Sequence, residues 1–263
     1  MSGPILLVQN LSKTFAGAGI PRRGRFPVLK DVSFSIEEGG VFGLVGDSGK
    51  TTLARTILYL DPPDSGEVFF RGIRLSSLSA GKLRKLRPRM QVIFQDPHRA
   101  LDPRLTIRQS MEEGMKNLGL PKKKRGAEVK TLLDRVGIPW SQADLYPREF
   151  SAGQKQLVAI ARALSMRPEL LILDEPAANL DVSVQAGVIN LLLDLKGEYN
   201  LSYMFISRDL DLTGYLAATL GVLKDGRLVE SGPAEDLLAN PQHPYTRELV
   251  ENSLTFMDLN KEE

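Results

Sequence analysis

"VFGLVGDSGKTTLART", residues 41–56, decides how this chain is to be read. An apolar run ends in a glycine, a short polar turn follows, and Lys50-Thr51-Thr52 open a stretch with helical spacing. Strand, glycine turn and helix in that order make a cradle for phosphate. Free N–H groups at a helix N-terminus point at an anion, and the helix dipole favours it. The usual form of such a loop is G-x-x-x-x-G-K-[ST]. Here only Asp47 and Ser48 separate Gly46 from Gly49-Lys50, so the loop counted from Gly46 is two residues short. Counted from Gly43 it is one too long.

The rest of the chain supports an α/β reading. Short runs rich in Val, Ile and Phe predict strands at 6–8, 32–36, 42–45, 91–94, 170–173, 203–206 and 221–223. "LLIL" at 170–173 is apolar at every position, as in a parallel strand covered on both faces. Helices are predicted after Lys-Thr-Thr and at 107–118, 127–136, 152–165, 182–197 and 209–217. About 75 residues between the strands at 94 and 170 carry no strand signal, room for an inserted helical subdomain. The basic run "PKKKRG" (121–126) and the segment "AGAGIPRRGRF" (16–26) read as solvated loops.

Composition excludes several classes. The 263 residues can bury a substantial core. With 34 basic and 32 acidic residues the chain lacks the charge excess of a nucleic-acid-coating protein. It has no cysteine, hence no disulfide framework and no thiolate metal site, and its two histidines, His98 and His243, make a histidine-based metal site an unpromising reading. No stretch has the roughly 18 uninterrupted apolar residues of a membrane span, and the N-terminus is not that of a secretion signal. A membrane role is therefore expected to come through partners.

Three further stretches carry candidate chemistry. "LLILDEP" ends a buried strand in Asp174-Glu175, two carboxylates at the carboxyl edge of a parallel sheet where α/β proteins bind ligands. One suits Mg²⁺, the other a general base that polarises water. In "EFSAGQKQLVAIARAL", Ser151 and Gln154 have the spacing of a capping box and predict a helix start. An ordinary capped helix satisfies the same spacing. Gln95, in "VIFQDPHRALDPR", follows an apolar strand and has the reach to contact a metal ion or water.

Taken in order, the glycine-lysine loop, Gln-Asp-Pro, Ser-Ala-Gly-Gln, Asp-Glu-Pro and "ANLD" resemble the ATP-binding subunit of an ABC transporter, over essentially the whole chain. "FQDPHRALDPRLTI", "NLDVSVQAGVINLLLDL" and "NPQHPYTRELV" are similar to phrases of the oligopeptide, dipeptide and nickel importer subgroup. The resemblance implies a P-loop NTPase (RecA-like) parallel-sheet core, an N-terminal antiparallel β portion and an inserted α-helical subdomain. It divides the chain into a core at 1–94 and 166–232, a helical subdomain at 95–165 and a tail at 233–263. It implies ATP and Mg²⁺, with Phe15 stacking on adenine and Gly46, Asp47, Ser48, Gly49, Lys50, Thr51 and Thr52 around the phosphates. Thr51, Gln95 and Asp174 would hold Mg²⁺, with Glu175 as general base. Ser151, Ala152, Gly153 and Gln154 would cap the γ-phosphate bound by a second subunit, and Asp181 would lie at the dimer seam. The implied partners are that second ATP-binding subunit, in a homo- or heterodimer, two transmembrane permease subunits and, indirectly, an extracellular solute-binding protein, with no nucleic acid. The implied place is the cytoplasmic face of the cell membrane.

Three positions depart from the family pattern. The short loop loses up to roughly 7 Å of extended reach and two N–H donors, so either the first helical turn unwinds to replace them or phosphate affinity falls. Arg208 stands where relatives carry a histidine that contacts γ-phosphate and water; arginine donates only and stays charged. Ala152 stands where relatives have glycine. The expectation is an importer ATPase subunit whose own site is slow or silent. The alternatives are a non-hydrolysing structural or regulatory subunit and a soluble ABC ATPase outside transport.

Overall fold

The computed structural model describes residues 3–16, 25–178 and 180–259. The chain forms two compact units, Met1–Arg84 with Ser202–Glu263, and Lys85–Leu201. The first unit opens with β1 (Leu6–Ala16), β2 (Arg25–Ile36), β3 (Val41–Gly46), α1 (Lys50–Ile57), β4 (Ser65–Phe70), β5 (Ile73–Arg74) and α2 (Ala80–Leu86). Strands β2-β1-β4-β5 make an antiparallel sheet. Along β2, Val32, Phe34 and Ile36 are buried while Asp31, Ser33 and Ser35 are exposed, the period-two pattern of a half-covered strand. The sequence marks only the start of β1 and the end of β2; pairing with each other extends both. Most of the segment 16–26, read as a loop, lies outside the described residues, but its ends belong to strands: Ala16 pairs with Arg25, and Phe15 with Phe26.

The second unit follows with β6 (Met90–Ile93), α3 (Pro97–Ala100), α4 (Ile107–Asn117), α5 (Lys122–Arg135), α6 (Ala152–Leu164), β7 (Leu170–Asp174) and α7 (Val182–Tyr199). Strands β6 and β7 run parallel, with Ile93 opposite Leu173. The run 121–126 is not a loop. α5 starts at Lys122, five residues before the helix predicted at 127. Pro121 (φ −59°) sets the entry geometry, and Lys and Arg are good helix formers. The lysines are solvated as expected, but on a helix.

The chain then returns to the first unit as β8 (Ser202–Ile206), α8 (Leu210–Leu216), β9 (Thr219–Lys224), β10 (Arg227–Pro233), α9 (Ala234–Ala239) and α10 (Pro244–Leu259). There β3 lies between β8 and β9, parallel to both, and β10 pairs antiparallel to β9. Val41 to Val45 are all buried. Gly43 lets α8 approach: a β-carbon there would stand 2.4 Å from Thr213 Cγ2 and 2.9 Å from Ala217 Cβ. Strands β4, β5 and β10 and the short helices α2, α3 and α9 carried no signal strong enough to predict. The tail beyond Ser231 is largely helical, as its sequence suggests.

Candidate functional site

In the first unit, buried β3 delivers Gly46 to the carboxyl edge of the parallel strands, and α1 begins four residues later. Gly46 (φ +117°) and Gly49 (φ +108°) both occupy backbone regions that favour glycine. Lys50 is the first residue of α1 and only 7% exposed. Its Nζ donates to Gly46 O at 2.5 Å and to Asp47 O at 3.0 Å. The three residues between Gly46 and Lys50 are thus closed into a tight turn over the ammonium. The first helical turn does not unwind: Leu53 N–H donates to Gly49 O at 2.8 Å. Lys50 keeps its place at the head of the helix, and the loop is simply narrower.

No side chain caps the α1 N-terminus. By helix geometry the amides of Thr51 and Thr52 then have no intrahelical acceptor, donors that suit phosphate. Thr51 is exposed and Thr52 half-buried. Asp47 is held from β9. Its N–H donates to Leu223 O at 3.1 Å, and its carboxylate accepts Asp225 N–H at 3.2 Å and faces Lys224 Nζ at 3.2 Å. That carboxylate raises the Lys224 ammonium above its ordinary value. Leu223, Lys224 and Asp225 were not among the predicted site residues, because only pairing of β3 with β9 brings them to the loop.

Arg208 is exposed on the turn after β8. Beside it Ser207 N–H donates to Leu44 O at 3.1 Å, tying this turn to β3. Asp209 caps α8, accepting Leu212 N–H at 2.8 Å. Phe15 is 39% exposed at the end of β1, with Lys13 Nζ 5.5 Å from its ring centre. It is no core residue.

In the second unit the register of β6 and β7 brings Gln95, Asp174 and Glu175 out at the same edge. Asp174 is 3% exposed and Glu175 8%. Glu175 has φ +49°, unusual for a non-glycine residue and frequent where function fixes a side chain. Ser151 caps α6 as its spacing predicts. Ser151 Oγ accepts Gln154 N–H at 3.2 Å, and Gln154 Oε1 accepts Ser151 N–H at 3.0 Å. Ala152 is exposed at the first helical position. Gly153 lies against the start of α7, where a β-carbon would meet Val184 Cγ1 at 2.8 Å. Asp181 is the exposed N-cap residue of that helix. Asn179, in "ANLD", lies outside the described residues. Among the described residues no group of three His, Cys, Asp or Glu gathers as a ready-made metal cage.

The family model for ABC transporters matches residues 29–178, more than half of the chain and the whole run from β2 past Glu175. This chain belongs to the ABC transporter family. It is 43% identical over 250 residues to a putative peptide import ATP-binding protein of Brucella ovis, covering 94% of this chain and 78% of that one. To the oligopeptide transport ATP-binding protein OppF of Bacillus subtilis it is 42% identical over 255 residues, 95% of this chain and 82% of the relative. Among solved structures it resembles the dimeric ATP-binding cassette MJ0796 in a post-hydrolysis state with ADP and Pi, at a TM-score of 0.75 and 26% identity, covering 87% of this chain and 98% of that one. The fold is the P-loop NTPase fold, and the family is one of ABC-type ATPases. Among the described residues no helix is long and apolar enough to cross a membrane.

Proposed function

We propose that this chain is the ATP-binding subunit of an importer that takes up peptides, docked on the cytoplasmic face of two permease subunits and fed by an extracellular solute-binding protein. The observation that carries the reading is the joint between β3 and α1, where Lys50 heads an uncapped helix at the edge of a parallel sheet, in a chain whose relatives are named for peptide import.

In this reading 1–94 and 166–232 form the ATP-binding core, 95–165 the helical subdomain and 233–263 a tail. Phe15 stacks on adenine, and Gly46 to Thr52 surround the phosphates with amides and the Lys50 ammonium. Thr51, Gln95 and Asp174 supply the oxygens that a hard divalent cation prefers. Mg²⁺, when bound there, neutralises phosphate charge. Glu175, buried and fixed in a left-handed backbone, takes the proton of the attacking water. Ser151, Ala152, Gly153 and Gln154 present the start of α6 to nucleotide on a second ATP-binding subunit, with Asp181 at the seam. Closure of the pair moves the Gln95 segment against the permease and couples turnover to transport.

A second reading, a subunit that binds its permease but turns nothing over at its own loop, is favoured by two observations. The loop is two residues short, with its lysine turned onto its own carbonyls. Arg208 donates but cannot accept a hydrogen bond from water. Titration calorimetry of Mg-ATP against the chain, and against a variant with two residues inserted after Gly49, separates the two. Micromolar binding by the native chain supports the first reading. Binding by the lengthened variant alone supports the second, and places turnover in the complex on the partner's loop. Loss of labelled-peptide uptake in cells lacking this chain tests the cargo; unchanged uptake refutes it.

A further inference from the structure

The C-terminal helix α10 has no role in the site described above, yet it reaches the phosphate loop through one lysine. Lys224, at the end of β9, places its ammonium 3.2 Å from Asp47 Oδ2 and 4.4 Å from the centre of the Tyr245 ring in α10. Asp47 is the first residue after Gly46; Leu223 O accepts its N–H, and Asp225 N–H donates to its carboxylate. Tyr245 is itself fixed. Glu230 of β10 accepts the N–H groups of Gln242 at 2.8 Å and His243 at 3.0 Å, and Tyr245 N–H donates to His243 Nδ1 at 3.2 Å. The tail is therefore tied to the sheet just before its ring comes over Lys224.

An isolated ion pair between half-exposed side chains contributes little, because holding a long lysine in one geometry costs entropy. A ring beneath the ammonium changes that: it adds a cation–π attraction and restricts the side chain before any nucleotide arrives. A phosphate loop of full length wraps its ligand with its own consecutive amides. This loop is two residues shorter and is braced from outside.

We propose that Lys224 is a positioning residue for the phosphate-binding loop, set in place by Tyr245 of the C-terminal helix, so that the tail controls how well the shortened loop is shaped for nucleotide. The proposal rests on the reading of residues 46–52 as the ATP site. The "HPYTREL" segment then acts as the strut behind the loop.

The test uses the full chain and three variants, Lys224→Met, Lys224→Arg and Tyr245→Leu, each first checked for an unchanged melting midpoint. Hydrogen exchange of the peptide spanning the loop, without nucleotide, reads its rigidity; calorimetry with Mg-ATP reads affinity. Lys224→Met is expected to speed loop exchange and weaken Mg-ATP binding by about three- to tenfold, the size of an exposed ion pair plus a cation–π contact. Lys224→Arg keeps charge and stacking and restores both to within about twofold. Tyr245→Leu is expected to loosen the loop by about two- to fivefold. Unchanged loop exchange in Lys224→Met overturns the proposal, and unchanged exchange in Tyr245→Leu alone overturns the tail's part in it. If the native chain fails to bind Mg-ATP while exchange responds as expected, the nucleotide reading fails and the brace stands. If the native chain binds and Lys224→Met changes neither readout, the reverse holds.

Discussion

Replacing Gly46 by alanine should damage both the fold and the loop. The added β-carbon would lie 2.0 Å from Leu223 O, 2.9 Å from Leu223 C and 3.0 Å from Leu223 N. All three are backbone atoms of the strand paired with β3, so no side-chain rotation relieves the contact. Position 46 also sits at φ +117°, which costs a residue with a β-carbon about 1–3 kcal/mol. Parting two packed strands adds a cost typical of overpacking, about 1–3 kcal/mol. The sum, about 2–6 kcal/mol, is a large share of the 5–15 kcal/mol that hold an ordinary domain together. The same movement stretches the hydrogen bond from Asp47 N–H to Leu223 O. A fair control is Gly187→Ala in α7, where a β-carbon meets nothing within 4 Å. That change should leave stability equal or raise it by up to about 1 kcal/mol, because alanine is the better helix former. In scanning calorimetry Gly46→Ala should melt roughly 5–20 °C lower than the parent, and Mg-ATP affinity should fall with it. A melting midpoint within about 2 °C of the parent, with Gly187→Ala behaving the same way, would refute the argument.

Phe15→Ala should weaken Mg-ATP binding by about five- to tenfold, the worth of one aromatic stack, with little change in stability because the ring is exposed; equal affinities in calorimetry would remove Phe15 from the site. Ser151→Ala deletes the side-chain half of the α6 capping box and should cost about 1 kcal/mol in denaturant unfolding. It should also lower turnover of the assembled ATPase pair while leaving nucleotide binding by the single chain intact; a fall in single-chain binding would contradict the in-trans role. The tail should loosen in acid. Burial pushes the Glu230 carboxyl up, but the Gln242 and His243 amides that it accepts outweigh that and hold it below its ordinary value. A carboxylate with a lowered folded pKa stabilises above its unfolded pKa and loses that stabilisation as pH falls through the folded value. Hydrogen exchange across 240–250 should therefore rise as pH drops below the ordinary carboxylate range, after correction for the intrinsic rate, and Glu230→Gln should show the loosened tail already at neutral pH.

The parallel core, the position of the loop, the capped start of α6 and the Asp174-Glu175 edge were legible in the sequence because each follows from neighbours along the chain. An all-apolar run means a strand covered on both faces, a glycine before Lys-Thr-Thr means a turn into a helix, and Ser-x-x-Gln means a cap. The long strands β1 and β2 are legible only at the start of one and the end of the other, since the remainder of each mixes polar and apolar residues and becomes strand through pairing with its neighbour. The run 121–126 has the charge and proline of a loop, yet Pro121 sets the entry geometry and the helix propensity of lysine prevails. What no local pattern contains is the brace on the loop. Asp47, Lys224 and Tyr245 are distant in sequence and meet only because β9 lies beside β3 and Glu230 ties the tail to β10. Sequence thus set which chemistry the chain carries and how long its loop is. The tertiary structure decided how that short loop is held, because hydrogen bonds and ion pairs between strands depend on register, and register is a property of the assembled sheet.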